Sequence, residues 1–194
     1  MIEGSDMTSS VAHLAKQACD EIAATFVRVD ETQVNALVDA LIGARRIALY
    51  GVGREGLMMR ALTMRLYHAG LDAHPVGDMS TPPLTAGDLF LTSAGPGDFS
   101  TVSALICTAK AAGAQVAIIT AKPDGAATIF ADLVLTLPAQ TMLNDTGPTA
   151  STVLSMGSAY EGAQYVLFEI LLLRLRERLG ISAEAMRARH TNLE

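Results

Sequence analysis

The sequence predicts an α/β fold: a three-layer α-β-α arrangement around a five-stranded parallel sheet, led by two helices and closed by a helical tail. Three observations carry this. Two segments near the start repeat apolar residues every three or four positions. Five short apolar runs follow, ended mostly by Gly, Ser or Pro. Helix-length stretches separate these runs, the alternation that right-handed crossovers and a parallel sheet covered on both faces require.

The first helix is predicted over residues 11–26, with Leu14, Ala18, Ile22 and Phe26 on one face. The second covers 30–42, with Val34, Leu37, Val38 and Leu41 on one face, and Asp30 and Gln33 suit a capping box at its start. Strands are expected at 47–50, 73–76, 89–92, 116–120 and 133–137. Helices are expected at 57–69, 100–112 and, briefly, 126–131. Two more close the chain, at 158–179 and 183–189. Residues 79–86 and 140–155 read as long polar loops, the usual setting for sites. The 194 residues fit one domain, 1–194.

Half the residues are apolar, 18% are charged and the mean hydropathy is +0.32, so a helix face is expected to be covered by a second copy of the chain. The net charge of −6 speaks against broad contact with nucleic acid, which depends on clustered Lys and Arg. Arg174, Arg176, Arg178, Arg187 and Arg189 make the tail locally basic. Glu177 and Glu184 among them suggest a solvated or intersubunit helix face. Cys19 and Cys107 lack CxxC spacing, and the polar start resembles no secretory leader, so the expectation is reduced thiols in the cytoplasm. The longest apolar run, near residues 166–173, is too short to span a bilayer. His13, His68 and His74 show no metal-ligand spacing; neither metal nor cofactor is expected.

In an open parallel sheet, ligands bind outside the carboxyl ends of the strands. Segments 51–56, 93–101 and 143–161 are expected to meet there in one cavity. Gly51-Val52-Gly53-Arg54-Glu55-Gly56 has the outline of a dinucleotide fingerprint, with Asp72 or Asp78 as ribose ligand, but a tight turn and close helix-strand packing explain the glycines equally well.

With its surroundings, YGVGREGLMMRALTMRLYHAG resembles the first strand and helix of the sugar-isomerase (SIS) family, in particular 6-phospho-3-hexuloisomerases, with their G-x-G-R-S-G turn and M-R-L helix. Met156-Gly157-Ser158 with Glu161 resembles that family's P-M-G-[TS]-x-[FY]-E segment, and RARHTNLE at 187–194 its R-H-A-N-L-E terminus. The resemblance covers about residues 11–194. It implies the SIS fold, which is flavodoxin-like or Rossmann-like, and a tetrameric or dimeric, metal-independent aldose-ketose or ketose-ketose isomerase acting through an ene-diol. It makes Glu161 the base and His190 the residue assisting ring opening, in reach of a neighbouring subunit's pocket. The substrate, a sugar or sugar phosphate, would be held by Gly51, Gly53, Arg54, Glu55, Ser93, Gly95, Asp98, Ser100, Thr101 and Ser158. Two alternatives stay open. Ser158 and Glu161 also form an S-x-x-E capping box, and the fold also serves as a non-catalytic sugar sensor.

The chain departs from the family where phosphate is held. The serine of G-R-S-G is Glu55, and the serine- and threonine-rich turn is replaced by SAGPGDFST, residues 93–101. Pro96 removes a backbone donor, and Asp98 is placed to cap the following helix with its own carboxylate. A helix N-terminus favours an anion by about 0.3–2 kcal/mol. A carboxylate about 4 Å from a unit negative charge costs about 4 kcal/mol at an effective dielectric near 20. Phosphate is rescued if Arg54 pairs with Glu55, if Glu55 turns toward Arg60 or Arg65, or if Ser93, Ser100 and Thr101 rebuild the cradle. Otherwise Glu55 or Asp98 faces the ligand and accepts hydrogen bonds from its hydroxyls.

Overall fold

The computed structural model describes residues 10–148 and 150–193. The polar N-terminal stretch, expected to carry no leader, and the terminal Glu194 lie outside the described residues. In chain order the elements are α1 (Val11–Phe26), α2 (Glu31–Gly43), β1 (Ile47–Gly51), α3 (Gly53–His68), β2 (Ala73–Pro75), β3 (Leu89–Ser93), α4 (Ser100–Ala111), β4 (Gln115–Thr120), a 3₁₀ helix (Ala126–Phe130), β5 (Leu133–Thr136), α5 (Ser158–Leu179) and α6 (Ala183–Arg187). The strands form one sheet in the order β2-β1-β3-β4-β5, every pair parallel.

Successive strand residues point to opposite faces, and here both faces are apolar. Ile47, Leu49, Leu89, Leu91 and Ile119 pack with α2, α3 and α5 on one side. Ala48, Phe90, Val116 and Ile118 pack with α4 and the 3₁₀ helix on the other. Each fully buried Leu or Ile contributes about 1.5–3 kcal/mol, so the two layers hold the sheet between them.

Helix α3 starts at Gly53 rather than 57, because a pair of glycines lets strand and helix touch. A Cβ on Gly56 would lie 2.5 Å from the Gly51 carbonyl oxygen, and one on Gly51 would lie 2.9 Å from the Gly56 nitrogen. The spacing is thus a packing device. Asp72 precedes β2, at the far rim, and is held by Arg46 at 2.9 Å and His74 at 2.7 Å, while Asp78 faces Arg60 at 3.6 Å. Neither is set up as a ribose ligand.

Of the capping box expected at α2, one half forms. Asp30 accepts from the Thr32 nitrogen at 2.7 Å, but Gln33 accepts from the Thr136 nitrogen at 2.8 Å and ties α2 to β5. The basic tail is not simply a solvated face. Arg174 pairs with Glu31 at 2.7 Å and Arg178 with Asp39 at 2.6 Å, pinning α5 to α2. Helix α6 ends at Arg187, two residues early. Arg189 instead reaches back to the carbonyl oxygens of His68 and Ala185, both at 3.2 Å.

Candidate active site

Strand order reverses between β1 and β3, where the connections leave toward opposite faces and open a crevice at the carboxyl ends. A cavity of about 760 Å³ occupies that rim. Five segments line it: the first turn of α3 with Gly53 and Arg54, the β3-α4 turn with Pro96 and Asp98, Lys122 after β4, Leu143 after β5, and Glu161 in α5. The turns at Arg54 and Pro96 and the start of α5 therefore converge, as the strand-end rule requires.

Arg54 organises one wall. Its guanidinium donates to Ser158 Oγ at 2.9 Å and to the Met156 carbonyl oxygen, and pairs with Glu161 at 3.0 Å. The chain makes this reachable by turning through two left-handed residues, Met156 at φ 54° and Gly157 at φ 84°, just before α5. The conformation costs a non-glycine residue free energy and is found where a site demands it. Gly157 is the N-cap, so Ser158 is already helical and the alternative of a Ser158-Glu161 capping box is not realised. Both side chains turn to Arg54. The Glu161 side chain is only 16% exposed. Burial pushes its carboxyl above the ordinary value of 4.5, against the pull of Arg54. A carboxylate of raised proton affinity beside a fixed cation is equipped to accept and return a proton.

Glu55 takes neither of the arginine pairings that would rescue phosphate. It meets none of Arg54, Arg60 or Arg65: Arg54 holds Glu161, Arg60 faces Asp78, and Arg65 pairs with Glu169 at 2.9 Å. Its side chain is turned inward, leaving the residue 7% exposed. Ser93 Oγ donates to it at 2.5 Å, and the Gly95 nitrogen donates to its two oxygens at 3.2 and 3.0 Å. Gln164 Nε2 in turn donates to Ser93 Oγ at 2.8 Å, which frees the serine proton for Glu55. The Tyr160 hydroxyl stands 3.3 Å from the same Ser93 oxygen. Burial pushes the Glu55 carboxyl up despite these donors, and the nearby Glu161 adds to the shift. Desolvation likewise raises the Tyr160 hydroxyl well above its usual value, with Glu55 contributing.

No family model matches the chain. A 3-hexulose-6-phosphate isomerase from Mycobacterium gastri is 36% identical over 193 residues, spanning the whole of this chain and 94% of the relative. The chain belongs to the 3-hexulose-6-phosphate isomerase family. The family member from Bacillus subtilis is 32% identical over 166 residues, 86% of this chain and 89% of its own. A crystal structure from Methanococcus jannaschii, inferred to have the molecular function of 3-hexulose-6-phosphate isomerase, superposes with a TM-score of 0.80 at 27% identity, covering 93% of this chain and 98% of that one.

Among the family-derived site residues, Gly53, Arg54, Glu55, Asp98 and Glu161 line the cavity. Gly51, Ser93, Gly95 and Ser158 are not part of the lining: Ser93 and Gly95 hold Glu55, Ser158 holds Arg54, and Gly51 packs on Gly56. Asp98 does not cap α4; it accepts from Ser103 Oγ at 2.5 Å, and Phe99, which has no capping side chain, holds the N-cap position. Ser100 and Thr101 are exposed on the first turn of α4, outside the cavity lining. His190 lies beside His68, ring centroids 5.1 Å apart, at the end of α3 remote from Arg54, and so does not reach its own chain's cavity. Lys122 and Thr141 line the cavity without having been expected there, and Tyr160, within the expected segment 143–161, joins them. Lys122 was legible: it follows β4, and the strand-end rule covers that loop as well. At the opposite rim lies a hollow of about 770 Å³, where Asp39, Asp88, Lys110 and Asp132 all have salt-bridge partners within the chain.

Proposed function

We propose that the chain is an isomerase of the sugar-phosphate class that moves a carbonyl between neighbouring carbons of an open-chain sugar through an ene-diol, with Glu161 as the base. The observation that carries this is the Glu161-Arg54 pair at the cavity wall, 3.0 Å apart. The Glu161 carboxylate takes the proton from the carbon beside the carbonyl. The C–H electron pair becomes the carbon-carbon double bond, and the carbonyl electrons move onto oxygen. Arg54, already oriented by Ser158 and Met156, steadies the oxyanion that forms. A proton passes between the two oxygens, and Glu161 returns its own to the neighbouring carbon as the new carbonyl closes. One carbon is oxidised as the other is reduced, so the step balances without an external oxidant.

The names of the relatives support 3-hexulose 6-phosphate as the substrate class to test first. Glu161→Gln should lower kcat by about 10²–10⁴-fold. Thermal unfolding should hardly move, since a partly exposed ion pair is worth about 1 kcal/mol or less. Retained turnover with a large loss of stability would make Glu161 a structural residue instead.

The working unit in this reading is a homotetramer or dimer. Exposed apolar side chains on α3 and α5, Leu57, Met64, Tyr67 and Tyr165, support contact between copies. His190 then assists ring opening in a neighbouring copy's cavity. The exposed free thiols of Cys19 and Cys107 fit the reducing cytoplasm.

A further inference from the structure

Between residues 94 and 97 the β3-α4 turn has donors of the kind that hold a ligand anion, but the protein has already used them. The Ala94 nitrogen bonds the Ile119 carbonyl oxygen at 3.1 Å, the Gly97 nitrogen bonds the Ala94 carbonyl oxygen at 2.9 Å, and Pro96 has no N–H. The remaining donors, the Gly95 nitrogen and the Ser93 hydroxyl, both point at Glu55. The fit is close on every side. A Cβ on Gly95 would lie 3.0 Å from Glu55 Oε1 and 2.9 Å from Tyr160 Cε1, so only glycine lets the carboxylate lodge against the turn. Gln164, fully buried, locks Ser93 from behind.

We propose that Glu55 is the specificity-determining residue of the cavity: its carboxylate is a built-in anion that holds the Gly95 and Ser93 donors of the β3-α4 turn, so the end of the sugar lodged against them carries hydroxyls rather than a phosphate. This deepens the isomerase reading and rests on it, since it concerns the same cavity. A phosphate brought to the turn would find no backbone donor left between residues 94 and 97, and would lie against Glu55 with Asp98 close by. A hydroxyl suits the same surroundings, because Asp98 bonds Ser103 through one oxygen and keeps the other for a sugar O–H. Arg54 is held at the opposite task, beside Glu161 where the carbonyl reacts, by Glu161, Ser158 and Met156. Lys122, packed against Gly97, makes no ion pair among the described residues, so a phosphoryl group on the substrate belongs beside its ammonium rather than against Gly95 and Glu55.

The test is a titration of the full-length ¹⁵N-labelled chain with inorganic phosphate, following the amide resonance of Gly95. In the wild type this resonance should stay put. In Glu55→Ser, where the Gly95 and Ser93 donors are released, it should shift saturably. Glu55→Gln keeps the shape, removes the charge and serves if the serine variant does not fold; it should show the same shift at higher phosphate concentration. A saturable shift in the wild type that survives Lys122→Ala would overturn the proposal, and so would variants as indifferent to phosphate as the wild type. Wild-type turnover of 3-hexulose 6-phosphate and of its unphosphorylated analogue is measured alongside. No turnover of either would count against the isomerase reading, whereas the Gly95 resonance reports on Glu55 without any catalysis.

Discussion

The guanidinium of Arg54 and the carboxylate of Glu161 stand 3.0 Å apart, joining the first turn of α3 to the first turn of α5 at the wall of one cavity. Two helices that enter from different parts of the chain thus present a carboxylate and a cation to the same point. Arg54 is fixed by three partners, so its position costs little further ordering when a substrate arrives.

Removing Arg54 should change the pH dependence of the reaction in a definite direction. Arg54 lowers the Glu161 carboxyl against a burial effect that raises it. Without the guanidinium the carboxyl rises further, and a base must be deprotonated to act. Arg54→Ala should therefore move the acid limb of the kcat profile to higher pH as well as lower the plateau, measured by turnover across a pH series. Lysine should restore little, because it cannot serve three acceptors with a planar fork. An unmoved acid limb would separate Glu161 from the titration.

Glu55 should make stability depend on pH with the opposite sign from most carboxylates. Its carboxyl is raised in the folded chain above its ordinary value of 4.5. The folded state then holds its proton more tightly than the unfolded state. The stability this provides is fully present below about the ordinary value and is lost as pH rises through the folded one. Glu55→Gln lacks this loss, so urea midpoints of wild type and variant should diverge, the wild type falling behind as pH rises from 4.5 toward neutrality. Parallel curves would show that burial is not what governs Glu55.

Gly95→Ala places a methyl 2.9 Å from Tyr160 and 3.0 Å from the Glu55 carboxylate. Such overpacking costs about 1–3 kcal/mol. Chemical denaturation should show that loss, and the Gly95 amide should exchange faster with solvent as its bonds to Glu55 lengthen.

Lys122→Ala should raise KM for a phosphorylated ketohexose by about tenfold, the scale of one charge-assisted contact, and leave the unphosphorylated analogue nearly unaffected. Equal effects on both would assign Lys122 to the sugar rather than to the phosphoryl group.

The sheet and its helices were legible because their signals are local: α1 and α5 have the bounds their apolar spacing predicts, and each strand lies within a residue of its run. The cavity was legible one step later, through the rule that places ligands at strand ends. Direction of side chains was not. Whether Glu55 faces a ligand, an arginine or the interior depends on Gly95 lacking a Cβ 40 positions away, and on Gln164 and Tyr160 arriving from α5. The capping box at Ser158 failed for a similar reason: Gly157 takes the N-cap, and Arg54, from another helix, claims both side chains. His190 belongs to the tail in sequence and to α3 in space, and only the packing against His68 reveals that separation from the cavity.

The most direct test of the account is isomerisation of 3-hexulose 6-phosphate in deuterated water, comparing the wild type with Glu161→Gln. An ene-diol route through Glu161 places solvent deuterium on the receiving carbon in each turnover in which the proton held by Glu161 exchanges before its return, and the variant should lose both turnover and incorporation. Turnover by Glu161→Gln at the wild-type rate, or incorporation that persists unchanged without the Glu161 carboxylate, would contradict it.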